Sequence, residues 1–93
     1  MEYLKNFLTL DEYEQFISQL ADEDVSLFLT HEENVLLVLK YFKSLELNLF
    51  DFLLYKYPIV FDRLDSIKEK VESHPNIIPL LKEDVSNFDL IGL

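Results

Sequence analysis

The segment that decides the fold is Thr30 to Leu45, which reads THEENVLLVLKYFKSL. Thr30 is of a residue type that accepts hydrogen bonds from the free amides at a helix start, and Glu33, three residues later, completes the pattern of a capping box. The apolar residues behind this start are Val35, Leu36, Leu37, Val38, Leu39, Tyr41, Phe42 and Leu45. They cover more than one narrow stripe, so neighbours are expected on several sides. The segment therefore predicts a buried central helix over about residues 31–45.

The rest of the chain predicts an all-α fold of about five helices around that central helix. The only glycine is Gly92, and no Asn-Gly or Asp-Gly pair is present, so tight β-hairpin turns lack their usual residues. Thr9 and Glu12 form a second capping-box pattern, which predicts a helix from Leu10 to about Ala21. Apolar spacing predicts further helices over about residues 49–57, 63–72 and 78–86, the first of them capped by Asn48.

The connecting segments are expected to be short. The acids at residues 22–24 interrupt the apolar pattern and are expected to cap a short helical turn, with the apolar residues at 25–29 facing inward. Residues 1–8 predict a turn or two over the core, and residues 59–61, after Pro58, a turn or short helix. We expect residues 87–93 to be a loose C-terminal tail, although this segment contains apolar residues that are able to dock on another surface, namely Phe88, Leu90, Ile91 and Leu93. A chain of 93 residues predicts a single domain, residues 1–93.

Composition excludes some broad classes of protein. Hydrophobic residues make up 49% of the chain, which argues against a disordered acidic tail. The chain has no cysteine, which is typical of a reducing compartment, so we expect a cytoplasmic protein. The longest apolar run, Val35 to Leu39, is far shorter than a bilayer span, and no segment has the pattern of a cleaved signal peptide.

No motif predicts catalysis or metal binding. His31 and His74 lack a partner at the helical spacing of a zinc site, and the acids at residues 22–24 lack the glycine and the ligand spacing of a calcium loop. A glycine-rich phosphate loop and a Gly-x-Ser-x-Gly turn are also missing. The neighbouring carboxylates at residues 32–33 and 83–84 are typical of a solvated helix surface. We therefore expect no enzyme activity, no metal and no cofactor.

Charge distribution carries the functional prediction. Residues 1–33 contain nine acids and one base, Lys5, whereas residues 34–93 contain nine acids and seven bases, and the net charge is −10. A face of one sign accelerates association with an oppositely charged partner and repels nucleic acid and anionic membranes. The expected partner is therefore a basic protein, such as a nucleic-acid-binding protein. We do not expect the chain to bind nucleic acid or a membrane directly. The candidate partner-binding residues are Asp11, Glu14, Asp22, Glu23 and Asp24.

Two alternatives stay open at this point. The acids are also explained as a solubility device on a structural helical protein. The other alternative is homo-oligomerisation through surplus aromatic surface, since five aromatic residues lie within residues 50–61. The same cluster is explained equally well as part of the core. These aromatic residues are Phe50, Phe52, Tyr55, Tyr57 and Phe61.

Two short resemblances bear on these alternatives. The run LLYKYPIVF, Leu53 to Phe61, with the apolar positions that follow it, resembles one repeat of mitochondrial transcription-termination-type helical solenoids, in which a Tyr-Pro pair separates two helices. That family is basic, so its nucleic-acid binding is not carried over to this acidic chain. The size, the acidity and the helix at Asp11 to Leu20 are similar to colicin-type nuclease immunity proteins, whose paired tyrosines before a proline are interrupted here by Lys56. The excess of acids in residues 1–33 predicts, as the sharper hypothesis, an inhibitor whose acidic face covers a positively charged surface on another protein. It would compete there with nucleic acid, as phage-encoded inhibitors, nuclease-immunity proteins and DNA mimics do.

Overall fold

Every regular element of this chain is helical. A computed structural model describes residues 1–93 and contains no β-strand, so the all-α prediction is confirmed. The six α-helices are α1 (Leu10–Ser18), α2 (Asp22–Thr30), α3 (Glu32–Ser44), α4 (Leu49–Lys56), α5 (Leu64–Glu72) and α6 (Ile77–Glu83). Three 3₁₀ helices accompany them: an N-terminal one (Glu2–Asn6), a middle one (Tyr57–Phe61) and a C-terminal one (Val85–Ile91). None of the helices combines the length and the apolar character needed to cross a bilayer.

Two of the predicted helix starts are formed by the residues that the sequence indicates. The Thr9 hydroxyl accepts a hydrogen bond from the Glu12 amide at 3.2 Å, and the Thr9 amide donates to the Glu12 carboxylate at 2.9 Å, which is a complete capping box. At the start of α4, the side chain of Asn48 accepts a hydrogen bond from the Asp51 amide at 3.1 Å. α1 begins at Leu10 as predicted and ends at Ser18, before the expected Ala21.

The predicted capping box at Thr30 is wrong. Thr30 is the last residue of α2, and α3 follows after a single residue, His31, with no side-chain hydrogen bond to its first amides. The expected short turn after residues 22–24 is a full helix of nine residues. Its acids lie in the first turn, where the positive end of the helix dipole favours them, and Ala21 occupies the cap position.

Every helix contributes to the core, and a single central helix is not confirmed. α3 contacts α2, α4, α5 and the middle 3₁₀ helix, and α4 contacts α1, α3 and the middle and C-terminal 3₁₀ helices. Their wholly or almost wholly buried residues are Val35, Val38, Leu39 and Phe42 on α3 and Leu49, Phe52 and Leu53 on α4. The opposite side of α3 faces solvent, with Leu37 47% exposed and Lys40 also exposed.

The turn between α3 and α4 forms without a glycine. Glu46 adopts the left-handed conformation, with φ of 62°, and its amide donates to the Lys43 carbonyl at 2.9 Å. The amide of Leu47 donates to the Phe42 carbonyl at 3.2 Å. These two bonds complete a Schellman motif, in which glycine is the usual left-handed residue. The motif buries Leu47 and directs the chain into α4.

The C-terminal residues 87–93, for which the sequence predicts a loose tail, are packed. The C-terminal 3₁₀ helix buries every third residue, namely Val85, Phe88 and Ile91. The ring of Phe88 lies 5.3 Å from that of Phe42 and 5.8 Å from that of Phe52. The buried residues of the C-terminal 3₁₀ helix therefore complete the core against α4 and α6.

Candidate functional site

The five candidate partner-binding carboxylates lie on the first two α-helices. Asp11 and Glu14 are on α1, and Asp22, Glu23 and Asp24 form the first turn of α2. Four of these residues are exposed, and Asp24 is half-buried. Asp24 thus differs from the other four candidates in its exposure to solvent.

The two acids of α1 share its solvent face. Tyr13 and Phe16 turn inward and are buried, and Ile17 beside them is half-buried. Asp11 and Glu14 are three residues apart on the opposite side, a spacing that brings their side chains within about 5–6 Å at Cβ. The inward residues therefore fix α1 so that both carboxylates point to solvent.

α2 exposes a face that is both acidic and apolar. At about 100° per residue, the exposed side chains of α2 span roughly 160° of its circumference. They are Asp22, Glu23, Ser26, Leu27, Leu29 and Thr30. The apolar pattern of residues 25–29 predicts Leu27 and Leu29 inside, whereas both are exposed. A helical wheel drawn over the whole of α2 places both leucines away from the buried Phe28. Use of this signal requires the full length of the helix, which the sequence pattern does not show.

Asp24 is engaged within the protein. Its carboxylate accepts a hydrogen bond of 2.9 Å from the hydroxyl of Tyr57, in the middle 3₁₀ helix. This hydrogen bond, together with burial, raises the pKa of Tyr57 above its ordinary value. Asp24 therefore positions α2 against the rest of the protein.

A second tyrosine holds the other end of α2. The hydroxyl of Tyr3 donates a hydrogen bond of 2.6 Å to the carbonyl of Phe28, in the last turn of α2, where carbonyls lack partners within the helix. Burial, and then the charge of Glu32, raise the pKa of Tyr3 to about 12. The ring of Phe28 packs edge-on against Phe16 at 5.6 Å and Phe61 at 5.0 Å. α2 is thus attached to the rest of the protein by two tyrosine hydrogen bonds and by the packing of one buried ring.

Direct ion pairs leave the charge of the first third almost unneutralised. The four ion pairs are Lys5 with Glu2, Lys56 with Asp89, Arg63 with Asp65 and Lys82 with Glu46. Only Glu2 belongs to the nine acids of residues 1–33, and its partner Lys5 is the only base in that stretch. Eight of these nine acids, including all five candidates, therefore have no lysine or arginine nitrogen within 4 Å.

The aromatic run of residues 50–61 is mostly core. Phe52 is wholly buried, and Phe50, Tyr57 and Phe61 are half-buried and pack against the core. Tyr55, 71% exposed, is the only one whose ring is largely in solvent. The run therefore offers little aromatic surface for contact with another molecule.

Concave features do not coincide with the candidate residues. The three surface pockets lie around Leu37, around the start of α5 and beside Tyr55, and none of the five carboxylates lines them. No group of three or more histidine, aspartate or glutamate side chains is arranged to hold a metal ion. The five carboxylates thus lie outside the pockets, on the first two α-helices.

No family model, curated protein or solved structure matches this chain. Its function is therefore inferred from its own residues.

Proposed function

We propose that this protein is a small acidic binding module that engages a basic partner protein through the outward faces of α1 and α2. The observation that carries the proposal is the absence of ion pairs at eight of the nine acids in residues 1–33. No lysine or arginine lies within ion-pair distance of these eight carboxylates, so they are available to a cationic partner.

Four carboxylates form the contact surface in this proposal: Asp11, Glu14, Asp22 and Glu23. Because all four are exposed, they retain water until a partner displaces it, and their attraction acts over about a Debye length, about 10 Å at 0.1 M salt. Such a field raises the association rate and selects partners by charge more than it adds affinity. Asp24, bonded to Tyr57, holds α2 in place and is not itself a main contact.

The action that fits this surface is occlusion. A basic surface that binds nucleic acid is also complementary to exposed carboxylates, and a protein covering it competes with the nucleic acid, as an immunity protein or a DNA mimic does. We propose that this chain acts in the cytoplasm by such binding, without catalysis and without contacting nucleic acid or a membrane itself.

Affinity capture with two matched variants tests the proposal. Wild-type protein, the variant Asp11→Asn/Glu14→Gln/Asp22→Asn/Glu23→Gln and a control variant are immobilised and exposed to a lysate at about 50 mM and about 500 mM NaCl, which span strong and weak screening. The control, Asp51→Asn/Glu69→Gln/Glu72→Gln/Glu83→Gln, removes four exposed and unpaired acids from α4, α5 and α6.

We expect wild-type protein and the control to capture the same basic protein at low salt, and the α1–α2 variant to lose it. Mass spectrometry identifies the captured protein, and added DNA should displace it if its nucleic-acid site is covered. Equal capture by both variants, or capture that high salt does not weaken, contradicts the proposal. Light scattering that shows self-association of the wild type, with no capture, favours the homo-oligomeric alternative.

A further inference from the structure

We infer that two copies of this chain exchange residues 1–30, with His31 as the hinge, and that α2 and α3 join into one continuous helix in the exchanged dimer. The exchanged segment, the arm, holds the N-terminal 3₁₀ helix, α1 and α2, and residues 32–93 form the body. The inference goes beyond the proposed function, because it does not depend on a basic partner. It starts from the connection between α2 and α3, which is a single residue long.

The backbone at His31 departs only locally from helical geometry. Its φ of −108° and ψ of 28° differ from helical values by about 45° and about 70°. The residue nevertheless takes part in both helices, because its amide donates to the Leu27 carbonyl at 2.9 Å and its carbonyl accepts from the Val35 amide at 3.0 Å. Residues 22–44 contain no proline and no glycine, so nothing in their sequence prevents a continuous helix.

The hydroxyl of Tyr3 stabilises the break between the two helices. α2 ends at Thr30 and α3 begins at Glu32. In a continuous helix, the Glu32 amide donates to the Phe28 carbonyl, four residues earlier. That carbonyl, in the last turn of α2, instead accepts the Tyr3 hydroxyl at 2.6 Å. Without this hydroxyl the carbonyl lacks a partner in the broken form, but not in the continuous one.

The buried residues of α2 and α3 keep one register across the hinge. Phe28, Val35 and Phe42 are wholly buried and follow each other at intervals of seven residues. Seven residues are two helical turns with a drift of about 20°, so a continuous helix holds all three on one side. The joined helix therefore still presents one apolar stripe to the cores that it connects.

The surface that the arm covers selects the arm of a second copy as its occupant. On the body, the Tyr57 hydroxyl donates to Asp24 at 2.9 Å, and the ring of Phe61 lies 5.0 Å from that of Phe28. α1 of the arm also packs on α4 of the body. When His31 straightens, these contacts are lost within one chain, and the arm of a second copy restores each of them. Exchange of an identical element is for this reason a low-cost route to a dimer.

Refolding at two concentrations tests the inference. Each protein is unfolded in urea and refolded at about 10 μM and at about 1 mM, because a higher concentration favours a dimer. The buffer contains about 150 mM NaCl, which screens the repulsion between two acidic copies. Size-exclusion chromatography with light scattering measures the dimer fraction, and circular dichroism checks that each variant is folded.

Four variants are compared with the wild type. Tyr3→Phe removes the hydroxyl at the Phe28 carbonyl, and its control, Thr9→Ala, weakens the capping of α1 without touching the hinge. Glu33→Pro lies in the first turn of α3, whose amides have no partner within that helix, but it disrupts the interior of a continuous helix. Its control, Glu33→Gln, removes the same charge and keeps the amide.

We expect the wild type to form a dimer at the higher concentration, and Tyr3→Phe to raise the dimer fraction about threefold or more, with no such rise for Thr9→Ala. Glu33→Pro should abolish the dimer, whereas Glu33→Gln should keep it. A wild type that stays monomeric at the higher concentration overturns the inference. Equal dimer fractions for Glu33→Pro and Glu33→Gln, or for Tyr3→Phe and Thr9→Ala, also overturn it.

A distance within one chain keeps the test decisive even if Glu33→Pro does not fold. Spin labels are attached to Glu23→Cys/Lys40→Cys, at two exposed positions in a chain without other cysteines, and labelled chains are diluted with unlabelled ones. In a continuous helix these positions lie about 26 Å apart along the axis, and any bend at His31 shortens the distance. We expect the longer distance in the dimer only. A dimer that keeps the distance of the monomer overturns the inference, and the proposed function, which affinity capture tests, is unaffected.

Discussion

Two tyrosine hydroxyls hold α2 in place, and both are sensitive to alkali. A tyrosine whose pKa is raised in the folded state stabilises the fold below its ordinary pKa of 10.0, and this contribution is lost as the pH rises through the folded pKa, about 12 for Tyr3. We therefore expect the free energy of unfolding, measured in urea, to fall between about pH 10 and pH 12. Tyr3→Phe should reduce this fall, whereas Tyr55→Phe, which removes an exposed hydroxyl, should not. Equal pH profiles for wild type and Tyr3→Phe contradict the assignment.

Two threonines in the same local context make different contributions. Thr9 and Thr30 both precede a glutamate by three residues, but only Thr9 accepts a capping hydrogen bond. We expect Thr9→Ala to lower the free energy of unfolding by about 1 kcal/mol, because an amide at the start of α1 loses its partner. Thr30→Ala, the control, should change it by less than about 0.5 kcal/mol, as other surface substitutions do. A larger loss for Thr30→Ala in urea denaturation shows that Thr30 does act as a cap.

The same pair of threonines shows what local sequence can and cannot predict. The start of α1 follows from Thr9 and Glu12, and that of α4 from Asn48 and Asp51, because the bonds that fix them lie within one turn. At Thr30 the same pattern fails because α2 runs on to that residue and leaves one residue for the connection.

At the scale of elements, the C-terminal 3₁₀ helix belongs to the core. Phe88→Ala removes a wholly buried ring that packs on Phe42 and Phe52, and we expect it to cost about 3–5 kcal/mol in urea denaturation. Leu90→Ala, in the same helix but 67% exposed, should cost less than about 0.5 kcal/mol. Similar small losses for both variants indicate that the segment is loose after all.

Elements that depend on distant contacts were the least predictable. The C-terminal 3₁₀ helix is secured by Phe42 and Phe52, more than thirty residues earlier in the chain, and the turn at Glu46 lacks the glycine that usually marks it. At the candidate site, too, the local pattern is predictable from the sequence and the distant contact is not. The excess of acids in residues 1–33 is evident from composition, whereas the inward direction of Asp24 depends on Tyr57, 33 residues away.

At the scale of the whole molecule, self-repulsion opposes folding. The net charge is −10, and only four of the eighteen acids form an ion pair. We expect the free energy of unfolding to rise when NaCl is increased from about 10 mM to about 150 mM, because the Debye length shortens from about 30 Å to about 8 Å. The α1–α2 variant, with four fewer negative charges, should show a smaller rise in the same urea titrations. A decrease with salt indicates instead that attractive pairs outweigh the repulsion.

α2 is attached to the rest of the protein by few buried contacts. It has one wholly buried side chain and two hydroxyl hydrogen bonds, whereas α3 and α4 bury four and three side chains, so we expect α2 to unfold locally at a lower free energy than either. Its amides should therefore take up deuterium well before those of α3 and α4, and a ligand on its outer side should slow that uptake selectively. A partner that binds only the folded form of α2 stabilises that form, so we expect partner binding to be coupled to the local folding of α2.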